Sequence, residues 1–549
     1  MYVDTATKVN KSGKSYKRYL LRSSYRENGK VKHKTIANIS SCTDAEIEAI
    51  KLALKHKNNL DVLTSIKNIK HQQGKSIGAV FVLKEISDRL GITKALGNIQ
   101  VAVLTLWMVF TRIIDQGSRL SAVRLAQTHA VCDVLNIEKG FSEDDLYMAL
   151  DWVCKNQSRI ENTLLKSRTK GEAVSRIYLY DVTSSYFEGN ENELAEYGYN
   201  RDKKKGKKQI VIGLLTDKAG CPVSIEVFRG NTPDQTTVPE QIEKLEKRFG
   251  SKYITLVGDR GMLKTPQQED LNDEYYNFIT AISKPQIEKM IKDGIIQLAL
   301  FDEDLVEIED GGIRYILRRN PIRQKEIENN RIEKELRVRK FIENKNNYLL
   351  EHKRAKVDVA VRNANNYVNC LKLNKYCRIS FKERELSLEI NEEAKKETGR
   401  LDGCYVIKTD LPTSYVSSDE VHDRYKDLCQ VERAFRSIKT DFLEVRPIYL
   451  RNAERTKGHV FVTMLSYMIT RYLKESWKYL DLTVEEGIKE LSTISSDIIQ
   501  IGDKEINKIP KPRNMGQQLL AALDLKLPEG IEHKNVKVAT RKKLVDRRK

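Results

Sequence analysis

The alternation of apolar and polar positions changes character several times along the chain. Within Tyr16 to Ser40, two alternating runs flank Glu27-Asn28-Gly29-Lys30, and an Asn-Gly step between such runs predicts a β-hairpin because both residues tolerate positive φ. A helix is predicted from Thr43 to about Lys57, with Thr43-Asp44 supplying the cap and a first-turn acid. Between about 76 and 170 the apolar spacing is helical, as in Val80, Leu83, Ile86 and Leu90, in the apolar run Val101 to Ile114 around Trp107, and in Tyr147, Leu150 and Val153. From Arg176 the texture turns to short β runs beginning at Ile177, Gln209 and Pro222, which predict a three-stranded meander. A helix from Val238 to Phe249, a strand from Tyr253, a short helix from Thr265 to about Asn272 and a strand from Asn277 complete the order β-β-β-α-β-α-β.

That order is characteristic of the ribonuclease H-like fold, in which the fourth strand lies parallel to and beside the first. Residues 285 to about 400 interrupt it. A highly charged helical stretch from Pro321 to about Asn346, with sparse apolar positions at Ile327, Ile332, Leu336 and Phe341, and a second helix near Val357 to Val368 predict a helical pair forming a basic arm. The core pattern resumes with a strand at Gly403 to Asp410, a helix from about Ser418 to Thr440 and a buried helix from His459. The tail from about 505, ending in the basic run from Arg541, is expected to be mobile. The expected architecture is therefore multidomain, α/β and α. It comprises a basic hairpin plus helix (1–75), a helical domain (76–170), a ribonuclease H-like core in two parts (171–284 and 401–480) around an insertion (285–400), and a C-terminal helical region with a basic tail (481–549).

A length of 549 residues corresponds to about three to five domains. With 40 % hydrophobic and 32 % charged residues, the composition is that of a globular chain. The run from Val101 to Ile114 is too short to span a bilayer and contains Arg112, and the N-terminus lacks the apolar stretch of a secretion signal, so the cytoplasm is the expected compartment. Eight scattered cysteines without a CxxC pair indicate neither a disulfide framework nor a zinc site. The 96 Lys+Arg against 77 Asp+Glu give a net charge of +19, which favours a polyanionic partner, nucleic acid first.

Candidate chemistry lies in three acids. Asp181 closes the apolar run Ile177 to Tyr180, and Asp259 closes Ile254 to Gly258. In the expected topology both emerge at one sheet edge, where two carboxylates repel unless a cation joins them. Hard carboxylate oxygens favour Mg²⁺ or Mn²⁺ over zinc. Glu432 lies on the late helix, with Tyr425, Leu428, Phe435, Arg436 and Lys439 on one stripe at the helical period, and is expected to be half-buried facing the sheet edge. An alternative role for Glu432 is an ion pair with Arg436. Lys203, Lys204, Lys205, Lys207 and Lys208, five cations in six residues between the first two core strands, are expected to track a DNA backbone.

Asp181-Val-Thr-Ser, Gly258-Asp259-Arg260-Gly261 and the Tyr425, Glu432, Lys439 helix resemble the DDE transposases of bacterial insertion sequences, specifically the IS-four-like group with the Tyr-x2-Arg-x3-Glu-x6-Lys signature. The resemblance covers roughly residues 175–285 and 400–475, and the basic hairpin before a helical domain is similar to the group's N-terminal region, which implies that residues 1–75 bind DNA, that 76–170 serve DNA binding or dimerisation, and that the hairpin and helices recognise the terminal repeats. It implies that Asp181, Asp259 and Glu432 are catalytic and hold two Mg²⁺ (or Mn²⁺) ions that serve both strand cleavage and strand transfer. Tyr425 and Lys439 would lie near the phosphates of the cleaved strand. The signature arginine falls on Leu428 here, so the phosphate contact the resemblance implies for it is either absent or taken over by Arg433 or Arg436. The implied partners are double-stranded DNA, at terminal repeats and target, and a second copy of the chain in a homodimer. A ribonuclease H-like structure-specific nuclease or resolvase, and a non-catalytic DNA-binding descendant, are the alternatives.

Overall fold

The computed structural model of the chain describes residues 1–10, 12–58, 69–169, 177–189, 191–245, 254–260, 262, 276–446, 448–501 and 504–540. The short helix expected from Thr265, Gly261 and the basic run from Arg541 lie outside these residues. The chain forms two units interleaved in sequence, one made of residues 1–85, 120–142 and 474–549, the other of residues 86–119 and 143–473. Strands are numbered along the chain.

In the first unit the expected hairpin is β2 (Ser15–Glu27) and β3 (Lys30–Asn38), turning at Asn28 and Gly29, whose φ values are 49° and 75°. A strand not foreseen from the sequence, β1 (Tyr2–Val9), pairs antiparallel with the other edge of β2. The helix Asp44–Lys55 starts at a capping box in which the Thr43 amide donates to the Glu46 carboxylate at 2.7 Å and the Glu46 amide donates to Thr43 Oγ1 at 3.4 Å. A second sheet joins distant parts of the sequence, because β4 (Ile69–Ser76) pairs with β15 (Ser495–Ile501), which pairs with β16 (Lys504–Lys508). Residues 504–540 are thus not a loose tail. They supply β16 and the helix Asn514–Ala522, which buries Leu519 and Leu520 and accepts a hydrogen bond from Trp477 Nε1 at the Leu519 carbonyl, 3.2 Å away.

In the second unit the helices Gln100–Ile114, Glu143–Thr169 and Ala453–Ser476 pack closely. Ser466 Oγ donates to the Val109 carbonyl at 3.1 Å, and a Cβ at Gly458 would stand 2.3 Å from the Leu150 carbonyl oxygen, so only glycine permits that approach. Strands β5 (Ile177–Tyr186), β6 (Gln209–Asp217) and β7 (Pro222–Arg229) form the expected meander, followed by β8 (Ile254–Gly258) and β9 (Tyr276–Ala281). Next come β10 (Val306–Asp310), β11 (Ile313–Arg319), the separate hairpin β12 (Cys377–Lys382) and β13 (Glu385–Ile390), and β14 (Cys404–Thr409). One mixed sheet runs in the order β10-β11-β14-β9-β8-β5-β6-β7, with β8 parallel to β5 and β9 parallel to β8.

The segment 285–400 differs from the helical arm expected of it. The helices Pro321–Glu351 and Val357–Cys370 are present, but β10 and β11 extend the main sheet across β14, and β12 and β13 form their own hairpin. The long helix buries Val338, Ile342 and Leu349 together with Glu335, whose carboxylate pairs with Lys395 at 2.9 Å. Ile332 and Leu336, read from the sequence as its apolar positions, are exposed.

Candidate active site

Strands β5 and β8 set the first two acids side by side. In the parallel register Tyr180 faces Gly258, so Asp181, the next residue of β5, and Asp259, just past the end of β8, occupy neighbouring positions. Asp181 is not at the end of its strand: β5 continues to Tyr186, and Asp181 pairs with Leu214 of β6. Its Oδ1 accepts from the Val182 amide at 2.8 Å, and Asp259 Oδ1 accepts from the Arg260 amide at 2.7 Å. Burial pushes the Asp181 carboxyl up to about 7; the Val182 amide opposes the rise, Asp259 adds to it, Arg201 opposes it and Glu432 adds to it. All three acids therefore share one electrostatic neighbourhood.

The helix carrying the third acid is divided. Ser418–Lys426 and Leu428–Arg436 meet at Asp427, and Ser437–Asp441 form a wider, π-type turn. The second segment packs on β5 and is held at its flank by the β6–β7 turn, where a Cβ on Gly220, at φ +76°, would stand 2.5 Å from Gln430 Cβ. Leu428, Phe435 and Lys439 of the stripe drawn from the sequence are buried, but Val431 and Ile438, in place of Glu432 and Arg436, complete the buried face. Glu432 is consequently exposed at the flank of the contact and not half-buried, as are Arg433 and Arg436. Among the described residues no three His, Cys, Asp or Glu side chains converge closely enough to hold a metal ion.

Tyr425 is half-buried in a cavity of about 470 Å³ whose walls also include Asp259, Arg260, Lys284 and Tyr405. Burial, with Asp259 next, holds its hydroxyl protonated beyond the usual phenol range. Behind it, Tyr405 Oη lies 2.6 Å from Nε2 of the buried His422.

Lys439 is placed differently from a cation open to solvent. It is buried, its Nζ donates to Thr183 Oγ1 at 3.0 Å and to the Ser184 carbonyl, and it pairs with Asp202 Oδ1 at 2.7 Å. Burial lowers its pKa, opposed by Asp202. Arg446 pairs with the same Asp202 oxygen, and Asp202 Oδ2 accepts from the Tyr186 amide at 3.0 Å. Asp202 thus ties the loop after β5 to the turn after the Glu432 helix. Sequence reasoning missed Asp202, Arg446 and the pairing of Asp234 with Arg201. The run Lys203 to Lys207 is exposed on this loop; Lys207 pairs with Glu188, and Lys204 and Lys208 stand 5.8 and 6.0 Å from the ring centres of Tyr186 and Tyr197.

Comparison with known proteins identifies two segments. Residues 172–469 match the model of the transposase DDE domain, and residues 3–61 match that of the N-terminal domain of IS1634 family transposases. No curated protein matches the chain in sequence. A similar solved structure is the piggyBac transposase synaptic complex with hairpin DNA, at 10 % identity over 75 % of each chain and a TM-score of 0.36. The DDE match spans more than half of the 549 residues, contains Asp181, Asp259 and Glu432, and is preceded by an insertion-sequence transposase N-terminal domain; the chain belongs to the DDE-domain transposases of insertion sequences.

Proposed function

We propose that the chain binds the terminal inverted repeats of its element and catalyses metal-dependent cleavage and transfer of DNA strands, with Asp181, Asp259 and Glu432 as the catalytic acids of a ribonuclease H-like core. The observation that carries this reading is the register of β5 and β8, which puts Asp181 and Asp259 at adjacent positions beside the Glu432 helix. The three groups fit a divalent metal by their chemistry: all are carboxylates, and Asp181 sits in surroundings that disfavour its charge until a cation offsets them. Asp181, Asp259 and Glu432 would hold two Mg²⁺ or Mn²⁺ ions, which when bound supply activation of the attacking oxygen and neutralisation of the leaving one.

The protein's own groups do the rest. Tyr425, kept protonated beside Asp259, donates a hydrogen bond to a phosphate oxygen of the cleaved strand. Arg433, Arg436 and the Lys203 to Lys208 loop neutralise backbone phosphates and orient the strand. Lys439 acts from inside, through Asp202, by holding the loop and the helix in register, so that its contribution to DNA is positional. The signature group extends to this chain with Leu428 in place of its arginine. The active form is a homodimer that holds two DNA ends in the bacterial cytoplasm.

The test is a strand-transfer assay on a pre-cut transposon end with Mg²⁺. Joining of the 3′ end to a target duplex, abolished by chelation, is expected. Cutting of branched DNA without any joining would identify a structure-specific nuclease and overturn the transposition reading.

A further inference from the structure

The N-terminal sheet ends in an arm that has no core of its own. Strand β1 pairs with β2 only as far as Arg22, so Ser23 to Glu27 and their β3 partners Lys30 to Lys34 project as a two-stranded ribbon of five residue pairs, about 17 Å long. Every residue of β3 is exposed, as are Ser24 to Glu27 of β2. Near its base the sheet buries only Tyr19 and Leu20. A ribbon this thin cannot stabilise itself by burial, and its residue choice does not suit a protein or lipid partner: its large apolar residues, Tyr25 and Val31, are apart on opposite faces.

The register assigns each side chain to a face. Arg22, Ser24 and Arg26 lie with their partners Thr35, His33 and Val31 on one face, and Ser23, Tyr25 and Glu27 lie with Lys34, Lys32 and Lys30 on the other. Arg22 pairs with Asp4 at 2.7 Å, and Lys32 with Glu27. Arg26, Lys30 and Lys34 make no ion pair among the described residues. His33 Nδ1 lies 2.9 Å from the Tyr2 hydroxyl and 3.1 Å from Ser24 Oγ, which fixes the ring on the Arg26 face.

We propose that this ribbon enters the major groove of duplex DNA, with the Arg26 face, flanked by Ser24 and His33, toward the base edges and with Lys30 and Lys34 on the phosphates. The major groove, about 12 Å wide and about 8.5 Å deep, admits a two-stranded ribbon, and an arginine on its floor favours the paired acceptors of guanine. Charge complementarity selects the partner: Glu27 is the one acid between Ser15 and Asn38, against seven Lys and Arg. The inference rests on the reading of the chain as a DNA-acting transposase and adds to it which element reads sequence.

The experiment selects duplexes from a pool of short random sequences with the full chain and repeats the selection with Arg26→Ala and Lys34→Ala. The native chain should enrich a motif containing a guanine whose N7 methylation blocks binding. Arg26→Ala should lose preference for that guanine by about fivefold to a hundredfold while still binding DNA. Lys34→Ala should weaken binding to all sequences and lower the log–log salt slope by about 1. Both positions are exposed, so folding is not at stake, and circular dichroism of each variant verifies this. An unchanged motif and slope in both variants would overturn the ribbon as the reading element while leaving the transposase reading intact. Absence of salt-dependent duplex binding by the native chain would overturn both.

Discussion

Asp181→Asn is expected to abolish strand cleavage and, in the same molecule, to stabilise the metal-free protein. Asparagine keeps the size and the hydrogen bond from the Val182 amide but removes a carboxylate that would hold metal, and electrostatic stabilisation of several kcal/mol corresponds to at least about three orders of magnitude in rate. Asp259→Asn and Glu432→Gln should lose activity to a similar degree, with duplex binding retained in all three. The stability effect has a definite sign. The folded protein holds the Asp181 carboxyl at about 7, above the ordinary 3.8, because burial disfavours its charge. Between those values the folded state binds the proton and the unfolded state does not, so stability falls as pH rises from about 4 to about 7 and stays lower above it. Asparagine removes that loss, worth on the order of 2–4 kcal/mol at pH 8 once partial solvent access is discounted. Urea unfolding with chelator at pH 5 and pH 8 measures it. The difference between native and variant should be large at pH 8 and small at pH 5; equal differences at both would show that the Asp181 charge is not strained in the fold.

Asp202→Ala should be the most damaging substitution for folding near the site. It removes the carboxylate shared by Lys439 and Arg446 and leaves the Lys439 ammonium buried with only Thr183 and Ser184 as partners. Breaking a buried pair from one side costs about 3–5 kcal/mol, because the remaining charge stays desolvated. Lys439→Met in the Asp202→Ala background should restore part of that loss, since the uncompensated ammonium is gone, and the double-mutant cycle reads the coupling directly. A loss below about 1 kcal/mol for Asp202→Ala, or strict additivity of the two substitutions, would contradict the account of Lys439 as a positioning group.

The sequence was most legible where local pattern and tertiary demand agree. Apolar runs closed by Asp181 and Asp259 gave both strands, and Asn28-Gly29 gave the hairpin, because turn chemistry is encoded in adjacent residues. The Glu432 helix was legible as a helix and only in part in its facing. Leu428 and Phe435 are buried as read, but Val431 and Ile438, seven residues apart, complete the buried line, and Glu432, about 100° around the axis from Val431, is left at its flank. The β10–β11 hairpin carried its own signal in the alternation Val306, Ile308 and in Asp310-Gly311-Gly312, which the strong charge of the following helix obscured. What no local pattern could supply was pairing across long separations. Strand β4 meets β15 more than four hundred residues later, and Asp202 meets Lys439 and Arg446 through a fold that must exist before the contact does.

The central claim is that Asp181, Asp259 and Glu432 together hold divalent metal against DNA. Anomalous diffraction from crystals of the chain with Mn²⁺ and a DNA end measures this directly. Manganese peaks bonded to carboxylate oxygens of Asp181, Asp259 and Glu432 together are predicted. Peaks held by other residues, or by the two aspartates with Glu432 left at the surface, would contradict it.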